Sequence, residues 1–174
     1  MTVLETIKTR RSTRSYLSTP VEKEKLDQLL EAARLAPGAR LEQDFKIIVV
    51  TDEKLRKGLA DACESQRFIA QAPLALVMCY NNERIMLCGQ PVRPIDCSIA
   101  LSFMLLEAEE LGLGMCWMGA FRSDDVRHLL NIPDEYTIFA MTPVGYATSK
   151  DYPPRRKPKE MKDLLKYNKW QEEQ

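Results

Sequence analysis

The sequence predicts a single three-layered domain of the α+β or α/β class, built about one sheet. Three observations carry this. The runs "FKIIVVT" (45–51), "APLALVMCY" (72–80) and "YTIFAMTPVGYA" (136–147) are short, apolar and rich in strand-forming residues. Segments of helical period stand between them, so helices alternate with strands. The length of 174 residues suits one domain with enough interior for a proper core.

Taken in order, residues 2–9 form a short helix with Val3, Leu4 and Ile7 on one side. The stretch "STPVEKEKLDQLLEAARLAPGA" is an amphipathic helix, with Leu26, Leu29, Leu30 and Ala33 at i, i+3, i+4 and i+7, stopped by Pro37 and Gly38. The first strand, 45–51, is expected to be buried. Asp52 then caps a helix reaching about Cys63, and 72–80 is a second buried strand. Residues 81–94 are polar with two prolines and are expected to be a loop or lid. Residues 95–114 make the most apolar helix, with almost no polar face in its first half, which suits a central position or a subunit interface. An extended segment, "MCWMGAF", follows; Ser123 is expected to cap the next helix, with Asp124 and Asp125 complementing its dipole. The last strand is 136–147. The proline-rich, charged tail beyond it could not pack alone and is expected to lie across a partner subunit. The chain thus divides into a domain over 1–150 and a C-terminal arm over 151–174.

Composition narrows the function. Lysine and arginine total 25, as do aspartate and glutamate, and this zero formal net charge argues against general nucleic-acid binding. No apolar run approaches the roughly 18 residues of a membrane span. The N-terminus has no apolar signal core, so a cytoplasmic protein is expected. The five cysteines, Cys63, Cys79, Cys88, Cys97 and Cys116, show no C-x-x-C spacing and read as small buried hydrophobes in a reducing compartment. The single histidine, His128, has no second histidine with which to share a metal, and no metal site is expected.

No Ser-His-Asp arrangement, no G-x-G-x-x-G after a strand and no phosphate loop is present. An enzyme without side-chain catalysts points to a cofactor as the source of reactivity. One cluster does suggest chemistry. "TRRSTRSY" (9–16) places Arg10, Arg11 and Arg14 around Ser12 and Thr13. Guanidinium forks and hydroxyls are what a phosphate requires. A solvated basic helix end explains them equally well from the residues alone. A second cluster, Arg155, Arg156 and Lys157, lies in the tail.

"IKTRRSTRSY", "EAARLAPGA", "FIAQAP", "IDCSIALSFMLLEAEELGLGMCWMGAF" and "TPVGYA" occur in this order, and together they resemble the nitroreductase family of FMN-dependent oxidoreductases over about residues 2–160. The resemblance implies an α+β fold of three layers, α/β/α, with a central mixed sheet, in an intertwined homodimer with two FMN molecules at its interface. It implies that Arg10, Ser12 and Arg14 meet the FMN phosphate, ribityl chain and pyrimidine edge, with Arg11 contributing through backbone or side chain. Arg156 matches the tail arginine that binds phosphate, with Arg155 beside it. Met118, Gly119 and Ala120 match the segment whose backbone lies against the isoalloxazine. Pro37, Gly38, Ala39 and Leu41 match the loop that reaches the partner's flavin.

That loop also departs from the family pattern. Gln43 is kept, but Leu41 stands where an Asn is common, and Asp44 and Phe45 replace Pro-Trp. The resemblance further implies that NADH or NADPH reduces the flavin and that a nitroaromatic, quinone or enone then accepts the electrons in a ping-pong cycle, with no side chain as acid or base. The alternative is a non-catalytic protein that binds or senses FMN or another phosphate ligand.

Overall fold

The computed structural model describes residues 1–64, 66–149 and 157–170. Four strands form the sheet: β1 (Phe45–Val50), β2 (Leu74–Tyr80), β3 (Gly114–Met115) and β4 (Thr137–Gly145), in the order β1-β2-β4-β3. All three ladders are antiparallel. The sheet is therefore antiparallel and not mixed as expected; the one parallel pairing beside it among the described residues is an isolated bridge from Ser12 to Met115 of β3.

Helices cover both faces. On one lie α1 (Val3–Thr9), α2 (Lys23–Leu35) and α4 (Val92–Glu110); on the other lie α3 (Glu53–Ala62) and α5 (Ser123–Leu130). The alternation of β2 assigns its side chains to two cores. Leu74, Leu76 and Met78 join Leu29, Ala33, Ala100 and Met104 beneath α2 and α4. Ala75, Val77 and Cys79 join Leu59, Ala62 and Val126 beneath α3 and α5. This period of two is the pleat of a strand buried on both faces. A register shift falls where Met78 meets Ala140 and Cys79 meets Ile138, which leaves Phe139 as an extra residue in β4. Phe139 packs on the α4 side with Ala140.

The helix ends follow their sequence signals in most places. Thr2 and Glu5 form a reciprocal capping box at α1, and Asp52 accepts from the Leu55 amide at α3. Helix α4 starts earlier than expected, at Val92. Pro94 falls in its first turn, where a missing N–H costs no hydrogen bond. Glu83, from the preceding loop, accepts from the Val92 and Arg93 amides at 3.0 and 3.2 Å and serves as the cap. Ser123 does not cap α5. It is the first helical residue, Arg122 takes the cap position without a capping side chain, and Asp124 and Asp125 occupy the first turn.

Burial differs from expectation in β1, and two apolar surfaces stand uncovered. Strand β1 is an edge strand with Lys46 and Val49 exposed, because only β2 pairs with it. The apolar side of α1 faces outward, with Val3, Leu4 and Ile7 at 72%, 59% and 43% exposure. Phe103 of α4 is 41% exposed, so a long apolar helix keeps an uncovered stripe. A groove lined by Val3, Thr6, Ala32, Phe103 and Leu106 joins these surfaces. Of the tail, residues 157–170 are exposed and include a single-turn helix, α6 (Met161–Leu164). Among the described residues no helix is long and apolar enough to cross a membrane.

Candidate functional site

Helix α1 ends at Arg10, whose amide donates to the Thr6 carbonyl. The next residue resolves half of the arginine question. Arg11 Nη1 donates to the carbonyls of Lys8, Thr9 and Arg10 at 3.0, 2.9 and 3.2 Å. These are the orphan acceptors of a helix end, so the Arg11 side chain serves α1 itself. Its backbone continues into the bridge at Ser12.

The chain then lies down beside β3. Ser12 bridges Met115, and the Thr13 amide donates to the Met115 carbonyl at 3.0 Å. Thr13 is buried, and the Tyr16 hydroxyl donates to its carbonyl at 2.7 Å. Gly114 is what permits this approach, since a Cβ there would stand 2.5 Å from Thr13 Oγ1. Arg14 is exposed and donates to the Ser12 carbonyl at 3.3 Å, and among the described residues no carboxylate pairs with Arg10 or Arg14.

Cys116 marks where these groups converge. Burial pushes its thiol up, while Arg14, a hydrogen bond with Ser12 and the charge of Arg10 pull it down. Two residues on, Met118 is buried and exchanges backbone hydrogen bonds with Met141 at 2.9 and 3.1 Å. Gly119 and Ala120 are exposed, and no atom would lie within 4 Å of a Cβ at Gly119. Trp117 is 53% exposed and stacks on Phe139 with ring centroids 5.9 Å apart. Arg10, Ser12, Arg14 and the strip 118–120 thus share one edge of the sheet. Two guanidiniums without carboxylate partners, a hydroxyl and an open backbone strip can hold an anionic ligand with a flat ring.

The loop at residues 37–45 lies elsewhere. The Ala39 amide donates to Asp96 Oδ1 at 3.0 Å, and Gly38 packs on the same carboxylate, so Pro37, Gly38, Ala39 and Leu41 sit at the start of α4. The arginine turn sits beyond its end, where Leu113 donates to the Ala108 carbonyl. At 1.5 Å per residue, Asp96 and Ala108 stand about 18 Å apart along the axis. One chain therefore does not bring the two groups together. Arg155 and Arg156 lie outside the described residues.

The sequence reading missed one cluster. Arg93, 2% exposed, donates from Nη2 to Glu42 Oε2 at 2.7 Å and to Asp44 Oδ2 at 2.6 Å, and from Nε to the Asn82 carbonyl at 3.1 Å. Its Nη1 stands 3.5 Å from Asp96 Oδ2. The available signal was Arg93 and Asp96 at i and i+3 opening an otherwise apolar helix. Away from these sites, burial pushes the thiols of Cys63 and Cys79 up to about 11 and that of Cys97 to about 12. Cys88 is exposed. His128 sits exposed on α5, its Nδ1 2.7 Å from the Asp124 carbonyl oxygen. Among the described residues no group of three metal-ligating side chains is arranged to hold an ion.

Comparison with known proteins gives consistent matches. The family model described as Nitroreductase family matches residues 7–92 and 64–146. A protein of Methanothermobacter thermautotrophicus named putative NADH dehydrogenase/NAD(P)H nitroreductase is 35% identical over 150 residues, 84% of this chain and 78% of its own length. The crystal structure of a nitroreductase family protein from Clostridium difficile 630 superposes with a TM-score of 0.85 at 30% identity, covering 98% of this chain and 100% of that one. An FMN-dependent nitroreductase from Clostridium difficile R20291 superposes with a TM-score of 0.78 at 30% identity, covering 96% and 99%.

Proposed function

The chain belongs to the nitroreductase family, and from that premise we propose that it is an FMN-dependent NAD(P)H oxidoreductase. The observation that carries the reading is the shared sheet edge of Arg10, Ser12 and Arg14 with the open strip Gly119–Ala120. The residues present fit FMN. Among the described residues Arg10 and Arg14 lack carboxylate partners and can take a phosphate, Ser12 offers a hydroxyl to a polyol chain, and the exposed backbone at 119–120 offers an edge to a flat ring. Arg155 and Arg156 are further phosphate candidates from the arm at 151–174. Bound FMN would supply the redox chemistry, taking hydride from NADH or NADPH and passing electrons to a nitroaromatic, quinone or enone in ping-pong order. The protein's part is binding, orientation and charge. Arg14, the most exposed cation of the turn, would stabilise negative charge on the ring, and Thr13 locked against Gly114 holds the turn in place.

The working unit is a homodimer. About 18 Å of α4 separates the loop at 37–41 from the arginine turn, so a second copy is needed to bring that loop to the flavin. The outward apolar face of α1, Phe103 and the groove between them supply surface for such a contact. The domain at 1–150 carries the site, the arm embraces the partner, and the cytoplasm supplies the nicotinamide.

The test is an absorbance spectrum of the purified protein followed by anaerobic titration with NADH and NADPH. The expected result is a yellow protein bleached by a reduced nicotinamide. Colourless protein that takes up no added FMN overturns the reading. Tight FMN binding without reduction by either nicotinamide would instead make the chain a flavin-binding protein.

A further inference from the structure

The loop at residues 37–45 has an unusual backbone. Arg40, Leu41 and Gln43 adopt φ of 58°, 53° and 50°, so three non-glycine residues within four positions are left-handed. Such residues are strained, and they persist only where their surroundings hold them. Hydrophobic packing does not hold this loop. Leu41 is 66% exposed, and Arg40 and Glu42 are also exposed.

What does hold it is polar, and in large part ionic. Gln43 Nε2 donates to the Arg34 carbonyl at 2.6 Å and ties the loop to the end of α2. Among the described residues the loop's other side-chain hydrogen bonds run to the start of α4 or to the loop before it. Arg93 grips Glu42 and Asp44 through one nitrogen and Asn82 through another. Arg84 Nε adds a bond to Glu42 at 3.1 Å. Asp96, beside Arg93, takes the Ala39 amide. The two carboxylates in "LEQDF", of which Asp44 departs from the family pattern, are therefore partners of one buried guanidinium.

Charge rather than ideal hydrogen-bond geometry joins the rest of the cluster: Arg84 Nη2 stands 3.1 Å from Glu42 Oε2 and Arg93 Nη1 3.5 Å from Asp96 Oδ2. The buried side-chain atoms without a hydrogen-bond partner among the described residues are Arg84 Nη2, Arg93 Nη1 and Asp96 Oδ2, and all three lie in it. A buried ion pair is a poor source of net stability and a good way to specify one geometry. Arginine suits this task because its planar fork fixes several acceptors at once.

We infer that Arg93 is a positioning residue: it clamps the left-handed loop Gly38–Gln43 in the geometry with which Ala39 and Leu41 meet the flavin of the partner subunit. This rests on the flavin reading above. The clamp itself does not, because it is visible in the single chain.

The experiment compares wild type, Arg93→Met, Arg93→Lys and a control, Val126→Ala, which opens a cavity beneath α5 on the other sheet face. Two quantities are read on the full-length protein: the dissociation constant for FMN, and the rate of tryptic cleavage after the exposed Arg40, followed by mass spectrometry. Arg93→Met is expected to bind FMN roughly ten- to hundredfold more weakly, the scale of a misplaced contact, and to be cut faster after Arg40. Arg93→Lys keeps the charge but not the fork and is expected to fall between. Val126→Ala lowers the melting temperature and leaves both readouts at the wild-type level. Arg93 variants that lose melting temperature but match Val126→Ala in both readouts overturn the inference. Should Arg93→Met not fold, Glu42→Gln retains Arg93 with Asp44 and is expected to show intermediate weakening and faster cleavage; wild-type values there overturn it. A wild type that takes up no FMN sinks the flavin reading, whereas unchanged cleavage after Arg40 in a flavin-binding Arg93 variant sinks the clamp alone.

Discussion

Thr13 closes directly over Gly114: a Cβ added at Gly114 would lie 2.5 Å from Thr13 Oγ1 and 2.8 Å from its Cβ and Cγ2. This contact seats the arginine turn on the sheet edge. Gly114→Ala is expected to push the turn away at a cost of about 1–3 kcal/mol, the range for overpacking a tight interior. Thermal unfolding measures the loss. An FMN titration should show weaker binding than the stability loss alone explains, and wild-type affinity would contradict the role given to the turn.

The two neighbouring arginines should separate. Arg10→Ala is expected to weaken FMN binding by about 1.5–3 kcal/mol, the scale of charge-assisted hydrogen bonds. Arg11→Ala removes three bonds to the carbonyl end of α1. Its main effect should be on stability, at about 1 kcal/mol or less, with flavin affinity much less changed than in Arg10→Ala. Equal loss of affinity in both would overturn the division of labour.

Phe103→Asp places a charge on the uncovered stripe of α4. Sedimentation velocity should show wild type as a dimer and the variant as a monomer. Flavin retention should fall with dimerisation, because the loop at 37–41 then has no partner site to enter. A monomeric variant that binds FMN normally would place the whole site within one chain.

The Glu42 carboxyl gives an acid-side signature. Its hydrogen bond from Arg93, with Arg84 adding to it, holds its pKa below the usual 4.5. A carboxyl that is more acidic folded than unfolded stabilises fully above the unfolded value, and this contribution is lost as pH falls through the folded value. Melting temperatures measured from pH 7 to pH 3 should therefore show Glu42→Gln below wild type at neutral pH, with the two curves converging at the acid end. Parallel curves would show that the bond to Arg93 contributes nothing.

Of the five cysteines, Cys88 alone is exposed, and burial pushes the thiols of Cys63, Cys79, Cys97 and Cys116 up. Ionised, accessible thiol is the reactive form. A thiol-specific reagent at pH 8 is thus expected to label one cysteine in the native protein and all five after unfolding, with peptide mapping placing the native label at Cys88.

By itself the sequence determined whatever depends on neighbours along the chain. The helical spacing of Leu29 and Ala33, the continuous apolar run of β2 and the cap at Asp52 are local patterns, and each stands in the structure where its residues place it. The ordered motifs from "TRRSTRSY" to "TPVGYA" identified the family for the same reason, being contiguous stretches. Only the tertiary structure decided between residues of one type. Arg11 turns back to its own helix end while Arg10 and Arg14 meet no carboxylate among the described residues, and nothing in "RRSTR" distinguishes them. It made β1 an edge strand, because burial of a strand depends on how many neighbours it has. It explained "LEQDF" through Arg93, 51 residues from Glu42 in the chain. Pairings of that span depend on where the backbone brings two segments together, and residue spacing carries no record of it.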